Sequence, residues 1–190
     1  GLALQTVNPG DGSVGTSKLV DSAITTAKLN SSLDLSSKTI TLATNMTNSP
    51  SFLANISGHG TATDNSDTVI QFDTEVFDIG SCFNTSTYKF TPNVSGKYFF
   101  HLSVGIDING DAEKLTAIIH KNGSVALRYR RKHDFDSANQ QQTVSVSGIL
   151  TANGSTDYFE ALVQQNSGSD RTIRLETDRT HFQAYKLIGV

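Results

Sequence analysis

The stretch FTPNVSGKYFFHLSV, residues 90–104, places three aromatic residues in a row directly after a turn. The cluster PNVSG is turn-forming, and the residues after it are rich in aromatic and branched side chains, so a strand is expected from Tyr98 onward. A strand points successive side chains to opposite faces. Tyr98, Phe100, Leu102 and Val104 then form one continuous apolar face, suited to filling the space between two sheets. Phe99, His101 and Ser103 form the other. That second face mixes a ring with polar groups, and a ring in a larger exposed patch invites association. Phe99 and His101 are therefore expected on a surface that another subunit covers.

The same period-two texture extends through most of the chain. Strands are expected at 51–56, 69–72, 87–90, 98–106, 114–121, 125–131, 143–150, 158–165, 172–176 and 181–188. The clusters INGD, KNGS, TANGS and NSGSD separate them. KNGS, residues 121–124, is the sharpest turn signal, because Asn-Gly accepts the two positive φ angles of a type I′ hairpin between flanking strands. Ten short strands at this spacing without a long helical pattern predict an all-β, antiparallel sandwich or jelly roll.

Residues 1–46 differ. They contain no aromatic residue and are rich in Ser, Thr, Gly and Ala. SVGTSKLVDS (13–22) aligns over AITTAKLNSS (23–32), matching Val14 with Ile24, Thr16 with Thr26, Lys18 with Lys28 and Leu19 with Leu29. Each ten-residue unit carries too few apolar groups to bury a core alone, so it must stack on something, such as neighbouring copies of itself. Its apolar spacing fits a short helix or tight turns alike. The chain is expected to divide into a thin amino-terminal repeat or stalk, 1–46, and a knob, 47–190.

Composition bounds the function. The net charge of −3 over 190 residues provides no basic field to gather nucleic acid or an anionic membrane. No apolar stretch approaches a membrane span. The opening residues show no basic leader followed by a long apolar run, and Gly1 in place of Met reads as a fragment or processed product. Cys82 is single and forms no internal disulfide; it reads as a small buried apolar residue. Glycosylation sequons occur at Asn30, Asn45, Asn55, Asn84, Asn93, Asn122 and Asn153, which matter only in a secretory compartment.

Catalytic and metal chemistry find little to work with. No two of His59, His101, His120, His133 and His181 have zinc-site spacing. Asp107, Asn109 and Asp111 alternate as at the start of a calcium loop, but Ala112 stands where that loop needs Gly and Ile118 where it needs the bidentate Glu. These three are weak calcium candidates, and no other cofactor is implied. Asp134 and Asp136 lie in one polar stretch, not facing each other across a groove as glycoside hydrolysis requires. The densest local chemistry is RYRRKHDFD, 128–136: Arg128, Arg130, Arg131, Lys132 and His133 beside Tyr129 and Phe135. Guanidinium groups take carboxylate or phosphate through paired hydrogen bonds and rings stack on sugars, so this expected loop suits an anionic surface glycan. The competing reading is a solvated hairpin whose arginines pair with nearby aspartates or with another subunit.

Two resemblances complete the reading. SFLANIS (51–57), the run from Val69 to Val104 and AIIHKNGS (117–124) resemble the complement-component-one-q-like globular domain, a tumour necrosis factor-like jelly roll. Phe52, Phe72, Tyr88, Phe90, Pro92, Gly96, Tyr98 and Phe100 carry that likeness. The closing HFQAYKLIGV resembles the final buried strand, while Gly154 and Asp157 are a loose counterpart of a late Gly-Asp pair. The resemblance implies a homotrimer of ten-stranded jelly rolls used for binding and not for catalysis. GSVGTSKLVDSAITTAKL (12–29) resembles segments of bacteriophage tail-fibre and related virion proteins. The two together imply a virion fibre or appendage. Its amino-terminal segment would join the particle, and its knob would bind a host-surface glycan or protein. The alternatives are a capsid decoration protein with no host contact and a secreted recognition domain of cellular origin.

Overall fold

The alternation read in residues 90–104 organises the whole domain. In the computed structural model, which describes residues 47–108, 112–133 and 140–188, the strand β7 runs Gly96–Ile108. Its side chains at Tyr98, Phe100, Leu102, Val104, Ile106 and Ile108 are fully buried. The repeat at 13–32, the residues Asn109, Asp111, Asp134, Phe135 and Asp136, and the His133 side chain lie outside this description. The described residues belong to the second of the two units into which the chain divides, Leu42–Val190.

Among the described residues thirteen strands make two antiparallel sheets: β1 (Ser51–Asn55), β2 (Gly60–Ala62), β3 (Thr68–Val69), β4 (Thr74–Ile79), β5 (Phe83–Asn84), β6 (Lys89–Phe90), β7, β8 (Ala112–Lys121), β9 (Ser124–His133), β10 (Gln140–Ala152), β11 (Phe159–Gln165), β12 (Arg171–Ile173) and β13 (His181–Lys186). The seven-stranded sheet has the order β2-β12-β7-β13-β1-β4, with β10 paired along the other edge of β7. The six-stranded sheet has the order β5-β6-β11-β8-β9, with β3 on β11. This is the expected jelly roll. Every expected strand has an observed counterpart, and β2, β4 and β5 are additional. β4 escapes the sequence pattern because Thr74, Glu75, Val76, Phe77 and Ile79 are all exposed, so no buried face imposes an alternation on it.

Aromatic rings fill the space between the sheets. Phe52 stacks on Phe83 and on Phe90, in each case with 4.6 Å between centroids, and meets Phe182 edge-on at 5.0 Å. Phe100 lies 4.4 Å from Phe159 of the facing sheet. Burying each such ring removes a large apolar area from water and contributes about 2 to 3 kcal/mol. Tyr98 satisfies its one polar atom by donating to the Val94 carbonyl at 2.6 Å, which ties the PNVSG turn to the strand it precedes; burial pushes its phenol up. Cys82 is buried, as expected.

Two turns hold the end of the sandwich. Asn122 and Gly123 both take positive φ, 53° and 76°, as a type I′ hairpin between β8 and β9 requires. The Asp157 carboxylate joins this turn to the one before β11: it accepts from Asn122 Nδ2 at 2.8 Å and the Asn153 amide at 2.9 Å, and pairs with Lys121 Nζ at 2.9 Å. The Asn122 and Lys121 donors hold Asp157 below the usual carboxylate range. Gly154 sits at φ +75°, and a Cβ there would come within 2.3 Å of the Ser95 amide nitrogen. Only glycine fits this close approach.

Candidate functional site: an outer sheet face and a basic strand

Strand register assembles the outer face of the seven-stranded sheet row by row. Residues directly opposite one another in antiparallel strands project to the same side. Ile149 of β10 pairs with Phe99, Phe99 with Tyr185 of β13, Tyr185 with Ser51 of β1, and Ser51 with Ile79 of β4. One line across five strands is thus Ile149, Phe99, Tyr185, Ser51 and Ile79. The next line, by the same pairings, is Ser147, His101, Gln183, Leu53 and Phe77. The register shift between Leu53 and Ala54 leaves Val76 unpaired. Val76 borders a shallow hollow on this face together with Leu53, Asn55, Thr177, His181 and Gln183.

This face is apolar and open to water. Ile149 and Ile79 are 58% and 56% exposed, and Phe77 and Tyr185 are also exposed. Phe99 is half-buried and packs on Tyr185 with 5.4 Å between centroids. An apolar patch of this breadth on an isolated chain marks a surface for a partner. The sequence reading placed Phe99 and His101 on this side, and both lie there. It missed Tyr185, Ile149, Ile79 and Phe77, whose membership depends on strand partners that one sequence does not name.

Two histidines lie in this surface. His101 and His181 stand 5.3 Å apart between ring centroids. Burial first, and His181 second, push the His101 imidazole below its ordinary value.

The basic run falls differently from expectation. The strand expected at 125–131 is present and extends to His133 as part of the edge strand β9, so residues 128–133 do not join the expected loop, and the side chains of 128–132 alternate between faces. Arg128 and Arg130 pair opposite Ile118 and Thr116 and share one side. Tyr129 and Arg131 pair opposite the core residues Ala117 and Leu115 and take the other, where Arg131 Nη1 donates to the Thr143 carbonyl at 3.4 Å. Strand period spreads the expected cluster over two surfaces. Arg128 and Arg130 remain exposed with no ion pair among the described residues, and Tyr129 is 54% exposed. Asp134 and Asp136, the nearby aspartates of the competing reading, lie outside the described residues.

Of the calcium candidates, Asp107 is described, and its carboxylate is committed to Arg174 at 3.2 Å, which also binds Glu176. Among the described residues no group of three His, Cys, Asp or Glu side chains is placed to hold a metal. Several sequon asparagines are structural: Asn122 Nδ2 donates to Asp157, Asn153 Nδ2 to Thr156, Asn93 Nδ2 to the Gly80 carbonyl, and Asn55 is buried.

The family model for the C1q domain matches residues 51–169. The chain belongs to the C1q domain family. No curated protein matches this C1q-domain chain by sequence. Solved structures share its fold at low identity. Murine APRIL at pH 8.0 superposes with a TM-score of 0.55 at 12% identity, covering 72% of this chain and 98% of that one. Eiger TNF from S. frugiperda gives 0.52 at 11% identity, covering 74% and 92%. These likenesses show the tumour necrosis factor-type jelly roll around which the C1q domain is built.

Proposed function

We propose that this C1q domain forms a homotrimer through the outer face of its seven-stranded sheet, and that the trimer is the distal knob of a viral fibre or appendage that attaches to a host-cell surface. The observation that carries the reading is the apolar row Ile149, Phe99, Tyr185 and Ile79. Ile149, Tyr185 and Ile79 are exposed and Phe99 only half-buried in the single chain, and a neighbouring copy would cover them. The placement on a virion, of bacteriophage type, rests on the resemblance of residues 12–29 to fibre segments. The exposed guanidinium groups of Arg128 and Arg130, which share one face of β9, supply the contact for an anionic host glycan. Several knobs per particle multiply a weak single-site affinity.

The test is competition. Soluble full-length chain at micromolar concentration is expected to slow adsorption of the virion that carries it. A folded trimer that neither binds host cells nor competes overturns the receptor role and leaves a structural role on the particle.

A further inference from the structure

The row beside Phe99 brings together two titratable rings that the proposed attachment role does not use. His101 on β7 and His181 on β13 are both half-buried in the single chain, with an angle of 31° between ring planes. His181 Nδ1 lies 3.1 Å from the Thr177 carbonyl, which only accepts, so the neutral ring carries its proton on Nδ1. Neutral imidazoles pack against one another, whereas two imidazolium ions at this separation repel.

Among the described residues no carboxylate lies within ion-pair distance of either ring. Directly opposite His101 stand Ser147 of β10 and Gln183 of β13, and opposite His181 stands Ser103 of β7. β1 and β10 hold no ionisable residue at all. On β7 the ionisable residues besides His101 are Tyr98, Lys97 and Asp107, and Asp107 is taken by Arg174. β13 holds Tyr185 and the buried Lys186; β4 holds Glu75 and Asp78, whose Oδ2 accepts from the Phe83 amide. In the stretch before β13, Glu176 is bound by Arg174, Asp178 is exposed, and Arg179 adds a cation whose carbonyl accepts from Ser103. Neither ring forms an ion pair among the described residues.

We propose that the His101 and His181 pair is a proton-sensitive latch in the subunit interface, closed when both rings are neutral and opened by mild acid. The inference rests on the homotrimer reading and adds a regulation to it. Closing the interface strips the remaining water from two rings that have no carboxylate to replace it, so assembly disfavours their charged forms. Rings that bind protons less readily in the assembled state than in the separated subunits favour assembly at high pH, and that advantage is lost as the pH falls through the range in which the separated subunits take up protons, which for His101 lies below the ordinary imidazole value. Each of the three chains contributes a pair, which sharpens the response.

Sedimentation equilibrium of the full-length chain at pH 7.5 and pH 5.5, with far-ultraviolet circular dichroism at both, tests this. The expected result is a trimer at pH 7.5, a subunit dissociation constant raised about tenfold or more at pH 5.5, and an unchanged β spectrum. His101→Gln with His181→Gln is expected to give the same distribution at both pH values, and each single substitution a reduced response. A wild-type trimer of equal strength at both pH values overturns the latch and leaves the homotrimer standing. A single chain already present at pH 7.5 overturns both. Acid dissociation that persists in the substituted proteins, or that comes with loss of the β spectrum, also overturns the latch.

Discussion

Phe99 and Tyr185 face each other in register across β7 and β13, with ring centroids 5.4 Å apart on the outer side of the seven-stranded sheet. Neither ring is needed to separate the two sheets, because Tyr98 and Phe100 on the same strand do that from the other side. The pair itself contributes only about 1 kcal/mol within one chain, so most of its value lies in what it presents outward. Phe99→Asp is therefore expected to dissociate the proposed trimer while leaving the subunit folded. Sedimentation velocity alongside a thermal melt checks both halves of that statement.

Phe100 is the contrasting position. It is fully buried and lies 4.4 Å from Phe159, with Phe90 and Phe182 also in ring contact. Phe100→Ala is expected to cost about 3 to 5 kcal/mol of fold stability through lost burial and the cavity left behind. Urea denaturation followed by circular dichroism measures it.

A purely backbone constraint operates at Gly154. Its φ of +75° and the 2.3 Å that would separate an added Cβ from the Ser95 nitrogen exclude any side chain without displacement of the PNVSG turn. Gly154→Ala is expected to lose more than about 1 kcal/mol, read as a lowered melting temperature with the oligomeric state unchanged.

Acid should weaken the subunit in a separate and lower window than the histidine pair. Hydrogen bonds from Arg174 hold the Glu176 carboxyl down to about 2, and Asn122 and Lys121 hold Asp157 below its ordinary value. Carboxyls depressed in the folded state stabilise it above their unfolded values near 4, and that contribution is lost as the pH falls through the folded ones. The melting temperature is expected to drop between about pH 4.5 and pH 2. Glu176→Gln and Asp157→Asn should flatten that drop.

Residues 90–104 alone disclose the two faces of β7, because an alternation of rings and small polar groups has one physical solution in a sandwich. The Asn122-Gly123 turn was equally legible, since positive φ at both positions is a local property of those residues. What sequence could not supply was adjacency. Ile79 and Ile149 are 70 positions apart and meet the same row only through Ser51, Tyr185 and Phe99. For the same reason the basic run read as one cluster: on an extended edge strand Arg128 and Arg130 take one face and Arg131 the other. β4 was missed because it is a strand by pairing with β1, without a buried face of its own.

The basic strand makes its own prediction. Arg128→Glu with Arg130→Glu reverses two exposed charges on β9 away from the apolar row, so trimer mass and melting temperature should stay as they are. Binding to host cells bearing an anionic surface glycan is expected to fall at least tenfold, and flow cytometry with labelled trimer reads it. Unchanged binding would remove Arg128 and Arg130 from the proposed receptor contact.

The predictions for Phe99 and for the histidine pair depend on the outer face of the seven-stranded sheet being covered by copies of the same chain. Multi-angle light scattering of the full-length protein at micromolar concentration and neutral pH tests that claim most directly. The account predicts a mass three times that of the 20.4 kDa chain. A mass of one chain, with the β spectrum intact, would contradict it.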